Sequence, residues 1–234
     1  MNRFLPKHNP FRASRQESVP WISPDGTTVE QLIDQLQTDR RCSAIVGPKG
    51  TGKTTLSLAL QTALESRGQL TQFVTLSEDR KNQRRQLADC GLALAESKWL
   101  LVDGAERLPF GSKCLLFNRS RTACRNRLQP GGFIVTLHRR SLLIPTLYRS
   151  KTDVELLVSV LHRMESADDD TVDTAKALFA VNRGNIRLVL RALYNHHAHR
   201  QNDSDVGLHE LAGRKIALES SPSNGKNRGQ YAQR

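Results

Sequence analysis

The chain has 234 residues, 38% of them hydrophobic, with a mean hydropathy of -0.50. That length accommodates one sizeable core with a small appendage; no apolar run approaches the ~20 residues of a membrane span, and the first ten residues lack the apolar stretch of a secretory leader, so a cytoplasmic protein without membrane contact is expected. The net charge of +12 is unevenly spread, with 23 Lys and Arg against 12 Asp and Glu in residues 1–150 but 6 against 7 in residues 151–199.

Pro6, Pro10, Pro20 and Pro24 punctuate the start and predict an extended arm over residues 1–24, in place of a helix. Asp25-Gly26-Thr27-Thr28 reads as a turn into a helix that carries Val29, Leu32, Ile33 and Leu36 at helical spacing. A short apolar run over 42–46 predicts a buried strand, and 56–64 is good helix material, ending near Arg67-Gly68. Between them lies Gly47-Pro48-Lys49-Gly50-Thr51-Gly52-Lys53-Thr54-Thr55, a complete G-x-x-x-x-G-K-[ST] phosphate-binding loop.

The residue types explain the chemistry. Gly47, Gly50 and Gly52 free the backbone to aim successive N–H groups at phosphates, and the following helix adds the positive end of its dipole. Lys53 would reach the β- and γ-phosphates, and the Thr54 hydroxyl would ligate Mg²⁺. A nucleotide with Mg²⁺ is therefore the expected ligand, and the rest of the chain narrows it to ATP.

A second strand is predicted over 71–76, then a polar helix over 78–90 ending before Gly91. Trp99-Leu100-Leu101-Val102-Asp103 has the pattern of a Walker B strand, which would deliver Asp103 beside the loop to share the Mg²⁺. A helix over 113–128 is broken by Gln129-Pro130-Gly131-Gly132, and a strand over 133–136 ends in Thr136, either a water-orienting hydroxyl or an ordinary strand end. A fifth strand over 142–148 contains Pro145, which argues for an edge or end position. Beyond residue 150 three helices are predicted: 153–164, one through Val181, and one bearing Ile186, Val189, Leu190 and Leu193. Arg187 falls in the first turn of the last. From Arg200 the composition is polar and reads as disordered, apart from a transient helix over 206–217. The domain division is an arm over 1–24, a nucleotide-binding domain over 25–148, a helical lid over 149–199 and a disordered tail over 200–234.

Other features carry two readings. Arg80, Lys81, Arg84 and Arg85, and then Arg119, Arg121, Arg125 and Arg127, form basic helical faces that suit DNA, an acidic protein partner, or solvent alone. Phe11 and Trp21 would anchor the arm in an apolar groove or pack near a nucleotide base. His196, His197 and His199 read as a solvated helix end. Cys42, Cys90, Cys114 and Cys124 contain no C-x-x-C pair and are expected as reduced structural thiols.

On its phosphate loop, its Walker B run ending at Asp103, the sensor-1-like Thr136 and the sensor-2-like Gly184-Asn185-Ile186-Arg187, the chain resembles the AAA+ group of P-loop ATPases, especially compact bacterial ATPases of the initiator and transposition-helper kind. The resemblance implies an α/β P-loop NTPase fold: a three-layer sandwich with a central mostly parallel sheet and a small C-terminal helical lid. It implies ATP hydrolysis, nucleotide-dependent homo-oligomerisation, Arg187 on the γ-phosphate, and an arginine finger from Arg139, Arg140 or Arg149. One position departs from the pattern: the glutamate that usually follows the Walker B aspartate is Gly104. Glu106 is the nearest carboxylate; on an extended strand it would face away from Asp103, and a turn would bring it back. A slow ATPase and a nucleotide-gated switch without hydrolysis both remain open, as does a P-loop small-molecule kinase whose lid carries the Arg119 to Arg127 cluster. No [NT]-K-x-D guanine-reading motif and no L-S-G-G-Q run is present.

Overall fold

The computed structural model describes residues 9–38, 41–96, 98–125, 131–166 and 168–198. The expected disordered tail, Arg127 and His199 lie outside them. The apolar runs form five strands, β1 (Cys42–Val46), β2 (Thr71–Thr75), β3 (Trp99–Asp103), β4 (Gly132–Leu137) and β5 (Thr146–Arg149), in the order β2-β3-β4-β1-β5. Every pairing among them is parallel. A parallel sheet is covered on both faces, which is why the inner strands β1, β3 and β4 are mostly apolar, while the edge strands β2 and β5 also carry Thr71, Gln72, Thr75, Thr146 and Arg149.

The period of two still sorts their side chains. Ala44, Val46, Leu100, Val102, Phe133 and Val135 point to one face, where they pack on α4 (Arg80–Ala95) and α5 (Phe110–Arg125). Ile45, Leu101 and Ile134 point to the other, against Leu32, Ile33 and Leu36 of α2 (Val29–Thr38) and Leu56, Leu60 and Leu64 of α3 (Lys53–Ser66). Each such buried side chain contributes about 1.5–3 kcal/mol, so the helix faces with apolar residues at three- and four-residue spacing are the ones that dock. The result is the expected three-layer α/β sandwich.

A separate cluster holds the C-terminal helices α6 (Val154–Arg163), α7 (Asp169–Val181) and α8 (186–198), through Leu157, Leu161, Ala175, Val189 and Leu193. Phe11 of the arm is part of this cluster. Asn9 ties the arm down, its side chain donating to the Tyr194 carbonyl at 2.9 Å and accepting from the Phe11 N–H at 2.9 Å.

Three local expectations need correction. The arm is not extended throughout: Ala13–Ser18 forms a short helix, α1, in the gap between Pro10 and Pro20. Helix α4 runs through Gly91 to Ala95, because Cys90, Ala93 and Leu94 bury on the sheet and offset the roughly 1 kcal/mol that a mid-helix glycine costs. Strand β5 starts at Thr146; Pro145 stays just outside it, its carbonyl accepting from the Ala44 N–H at 2.8 Å, on an edge strand where a missing N–H is tolerated. No helix among the described residues is long and apolar enough to cross a membrane.

Candidate nucleotide-binding site

Helix α3 packs on one face of the sheet and α4 and α5 on the other, so a crevice opens where β1 and β4 end side by side. The phosphate loop fills it. The Gly47 N–H donates to the Leu137 carbonyl at 3.0 Å, and the Ser150 N–H, just beyond β5, donates to the Val46 carbonyl at 2.8 Å. The Ser150 hydroxyl also donates to the Thr51 carbonyl, which braces the loop from outside. This proximity dictates the glycine at 47, since a Cβ there would lie 2.6 Å from the Ser150 carbonyl oxygen. Gly47→Ala is expected to cost roughly 1–3 kcal/mol of stability, measurable as a lower denaturant midpoint.

Lys53, the first residue of α3, is only 8% exposed and donates to the carbonyls of Gly47 at 2.8 Å and Pro48 at 2.6 Å. Burial pushes its pKa below the ordinary lysine value; Glu106 and Asp103 pull it back up, and Arg187 and Lys49 push it further down. Lys49 is exposed, Thr51 is buried and braced by its hydroxyl on the Pro48 carbonyl at 3.0 Å, and Thr54 and Thr55 are half-buried. Gly52 precedes the helix in a left-handed conformation. A Cβ on Gly50 would run into the Asn185 side chain, so the lid touches the loop there.

Asp103, the last residue of β3, joins three elements. The Thr54 hydroxyl donates to its Oδ2 at 3.0 Å and the Thr136 hydroxyl to its Oδ1 at 2.6 Å. The Gly104 N–H in turn donates to Thr136 Oγ1 at 2.9 Å.

The absent glutamate at 104 has a physical reason. Gly104 has φ +83°, a left-handed conformation that strains any side chain, and a Cβ there would crowd the Arg107 guanidinium at 3.1 Å. This kink ends the strand and starts a 3₁₀ turn over Ala105–Arg107, which swings Glu106 back toward Lys53. His138 Nε2 lies 3.0 Å from Glu106 Oε1, whereas Glu106 Oε2 is buried with no hydrogen-bond partner. His138 was not among the residues singled out by sequence. It follows Thr136 at i+2 just past the end of β4, and that strand parity was the available signal. Burial pushes its pKa below the ordinary histidine value, Glu106 opposing.

Beside the loop is a cavity of about 500 Å³, walled by Trp21 and Ile22 of the arm, Gly52 of the loop, Leu58 of α3, and Ile186 and Arg187 of the lid. Trp21 stands edge-on to Tyr148, ring centroids 5.5 Å apart. The Tyr148 hydroxyl donates to Asp25 at 3.2 Å; hydrogen bonds led by the Ser23 hydroxyl hold the Asp25 carboxyl at about 2, below the usual carboxylate range. The two aromatic candidates thus part company: Phe11 belongs to the lid core, Trp21 to the cavity.

Arg119, Arg121 and Arg125 lie elsewhere. Arg121 and Arg125 share a cavity with Cys42, the first residue of β1, at the far end of a five-residue strand from the loop, or about 15 Å away. Arg121 and Arg125 therefore stand away from the phosphate loop. Arg139 and Arg140 are exposed just after β4, Arg149 is exposed at the end of β5, and His197 packs edge-on to Phe11.

The residues fit a nucleotide and a hard cation. Lys53 stands on the loop carbonyls with its charge available, Glu106 Oε2 is buried without a partner, and the hydroxyl of Thr54 with the carboxylate of Asp103 is an oxygen set suited to Mg²⁺. Among the described residues no three His, Cys, Asp or Glu side chains gather as a metal site, so a cation here would share its ligands with bound phosphate.

No protein-family model and no curated protein sequence matches the chain. Among solved structures the chain shows a partial likeness to the following. A mutant of RuvB from Thermotoga maritima gives a TM-score of 0.48 at 18% identity over 74% of this chain and 61% of that one. A second variant of the same protein gives 0.46 at 18% identity over 70% and 58%. PCH-2 from C. elegans gives 0.40 at 11% identity over 73% and 65%. The chain spans about three fifths of the length of these structures.

Proposed function

We propose that this chain is an ATPase that holds Mg·ATP between the phosphate loop, the arm and the helical lid, and that nucleotide state governs its contact with a macromolecular partner. The observation that carries this reading is Asp103, hydrogen-bonded to both Thr54 and Thr136 beside a buried lysine. Lys53 would exchange its two carbonyl partners for the β- and γ-phosphate oxygens, and the N–H groups of residues 49–54 would wrap the phosphates. Thr54 and Asp103 would hold the metal, which when bound draws charge off the phosphates during in-line attack.

Glu106 would receive a proton from the attacking water through Oε2, with His138 positioning it through Oε1. Thr136 already donates to Asp103 and accepts from Gly104, so we assign it to positioning Asp103, with one lone pair left for water. Arg187 would meet the γ-phosphate and couple it to the lid, a role supported by its place on the cavity wall and its effect on Lys53. Calorimetric titration with Mg·ATP, followed by phosphate release, tests the reading on the full chain. Binding with turnover is the expected result; no adenine-nucleotide binding would end it. Binding without turnover would select the switch reading, which the Glu106–His138 contact favours by occupying one carboxylate oxygen.

The Trp21 cavity has a size and apolar lining that suit an adenine base. Trp21→Ala is expected to weaken ATP about 10-fold, the scale of one lost aromatic contact, while inorganic tripolyphosphate binds as before. An equal loss for both ligands would point to a collapsed loop instead.

For the partner we favour DNA on the exposed α4 face of Arg80, Lys81, Arg84 and Arg85. Arg80 and Lys81 sit in the first turn of α4, where cations oppose the helix dipole, and an incoming phosphate backbone would relieve that cost. Duplex affinity should fall by about 10-fold or more between 50 and 200 mM salt in an anisotropy titration; an affinity insensitive to salt would exclude this face. Arg139, Arg140 and Arg149 remain the finger candidates for a neighbouring copy in an ATP-dependent oligomer.

A further inference from the structure

At the sheet edge opposite the phosphate loop, a second, polar cavity of about 600 Å³ opens among Arg41, Cys42, Arg121, Cys124 and Arg125. Cys42 is the first residue of β1, and Cys124 lies on the last turn of α5. Cys124 Sγ donates at 3.4 Å to the carbonyl of Arg41, the residue bonded to Cys42, so the two thiols are neighbours on the cavity wall. Both are half-buried, reduced and open to the cavity.

We propose that Cys42 and Cys124 are a redox-active dithiol that a hydroperoxide converts to an intramolecular disulfide, Cys124 being the attacking sulfur and Cys42 the resolving one. The surroundings make the pair asymmetric. The Cys42 thiol, then the Arg41 guanidinium and the Phe133 N–H, lower the pKa of Cys124 against the opposing effect of burial. The neighbouring Cys124, together with burial, pushes Cys42 up. A low-pKa thiol in a basic, partly open setting, next to a second thiol, is the environment of reactive cysteines.

The step balances. The Cys124 thiolate attacks one peroxide oxygen, the O–O bond breaks, and the departing oxygen takes a proton to leave as water or alcohol; Arg121 and Arg125 stabilise its negative charge. Cys124 is now a sulfenic acid, oxidised by two electrons. The Cys42 sulfur, losing its proton, attacks Cys124, the S–O bond breaks, and the hydroxyl departs as water. Two thiols and one hydroperoxide give one disulfide.

The other cysteines serve as internal controls. Cys90 is buried and its thiol is pushed up to about 12, mainly by that burial, while Cys114 is half-buried on α5 away from this cavity.

The test treats the reduced full chain with a small excess of hydrogen peroxide, alkylates it with iodoacetamide and digests it without reductant. The expected product is one intrachain peptide pair joining Cys42 to Cys124, with Cys90 and Cys114 alkylated. In Cys42→Ser, Cys124 should be trapped as a sulfenic acid by a 1,3-dione probe; in Cys124→Ser, Cys42 should remain a thiol. In the untreated wild-type chain, iodoacetamide should label Cys124 at least about 10-fold faster than Cys114, a measurement that stands even if the serine variants fail to fold. A disulfide through Cys90 or Cys114, a bridge between chains, overoxidation of Cys124 with Cys42 still free, or equal labelling of Cys124 and Cys114 would each overturn the proposal.

Discussion

Lys53→Ala will raise the dissociation constant for Mg·ATP by roughly 10- to 100-fold, the scale of one charge-assisted hydrogen bond of about 1.5–3 kcal/mol. The side chain is buried and held by two loop carbonyls, so a single cation currently closes the cradle that the phosphates would enter. Truncation removes the charge offered to the β- and γ-phosphates and leaves the Gly47 and Pro48 carbonyls facing the ligand. Both effects act on binding, so calorimetry with and without Mg²⁺ is the direct measurement. The variant should keep its far-ultraviolet circular dichroism, because the sheet and the α3 contacts through Leu56, Leu60 and Leu64 are untouched. An unchanged dissociation constant would remove Lys53 from the phosphate site.

The second large effect concerns cleavage. Glu106→Gln keeps the side-chain length and an acceptor for His138 but removes the carboxylate, so it should lower kcat by about 100-fold or more, the range of a lost general base, with ATP affinity preserved. The motivation is the unpartnered Oε2, a buried acceptor next to the lysine and aspartate that would flank the phosphates. A steady-state phosphate-release assay decides it. Equal turnover in wild type and variant would exclude Glu106 as the base, and turnover absent from both would favour the switch.

The lesson of Gly104 is one of backbone, not of missing chemistry. A glutamate placed there would have to adopt φ +83°, so the acid moves two residues onward into the 3₁₀ turn. The one-dimensional pattern shows the glycine and the nearby Glu106 but not the hand of the turn between them, which fixes where the carboxylate ends up.

Much of the fold was legible before any coordinates. Apolar runs marked the inner strands β1, β3 and β4, because a strand buried on both faces needs few polar residues, whereas the edge strands β2 and β5 carry threonines and other polar residues. The order of the phosphate loop, the aspartate-ended strand and the threonine-ended strand anticipated the cluster of Lys53, Thr54, Asp103 and Thr136. Local rules failed where long-range burial outweighed them. Gly91 did not end α4 because three buried neighbours held it to the sheet, and the proline-poor gap in the arm was long enough to coil into α1.

By itself, then, the sequence determined the phosphate loop, the layer architecture and the segments that supply the site, since those depend on residue type at short spacing. Tertiary structure alone decided the rest. It turned Glu106 inward and brought His138 beside it, sent Phe11 to the lid and Trp21 to the cavity, and placed Arg121 and Arg125 at the far edge on one cavity with Cys42 and Cys124. These are relations between residues distant in the chain. They depend on sheet order and on the handedness of single turns, neither of which a local pattern encodes.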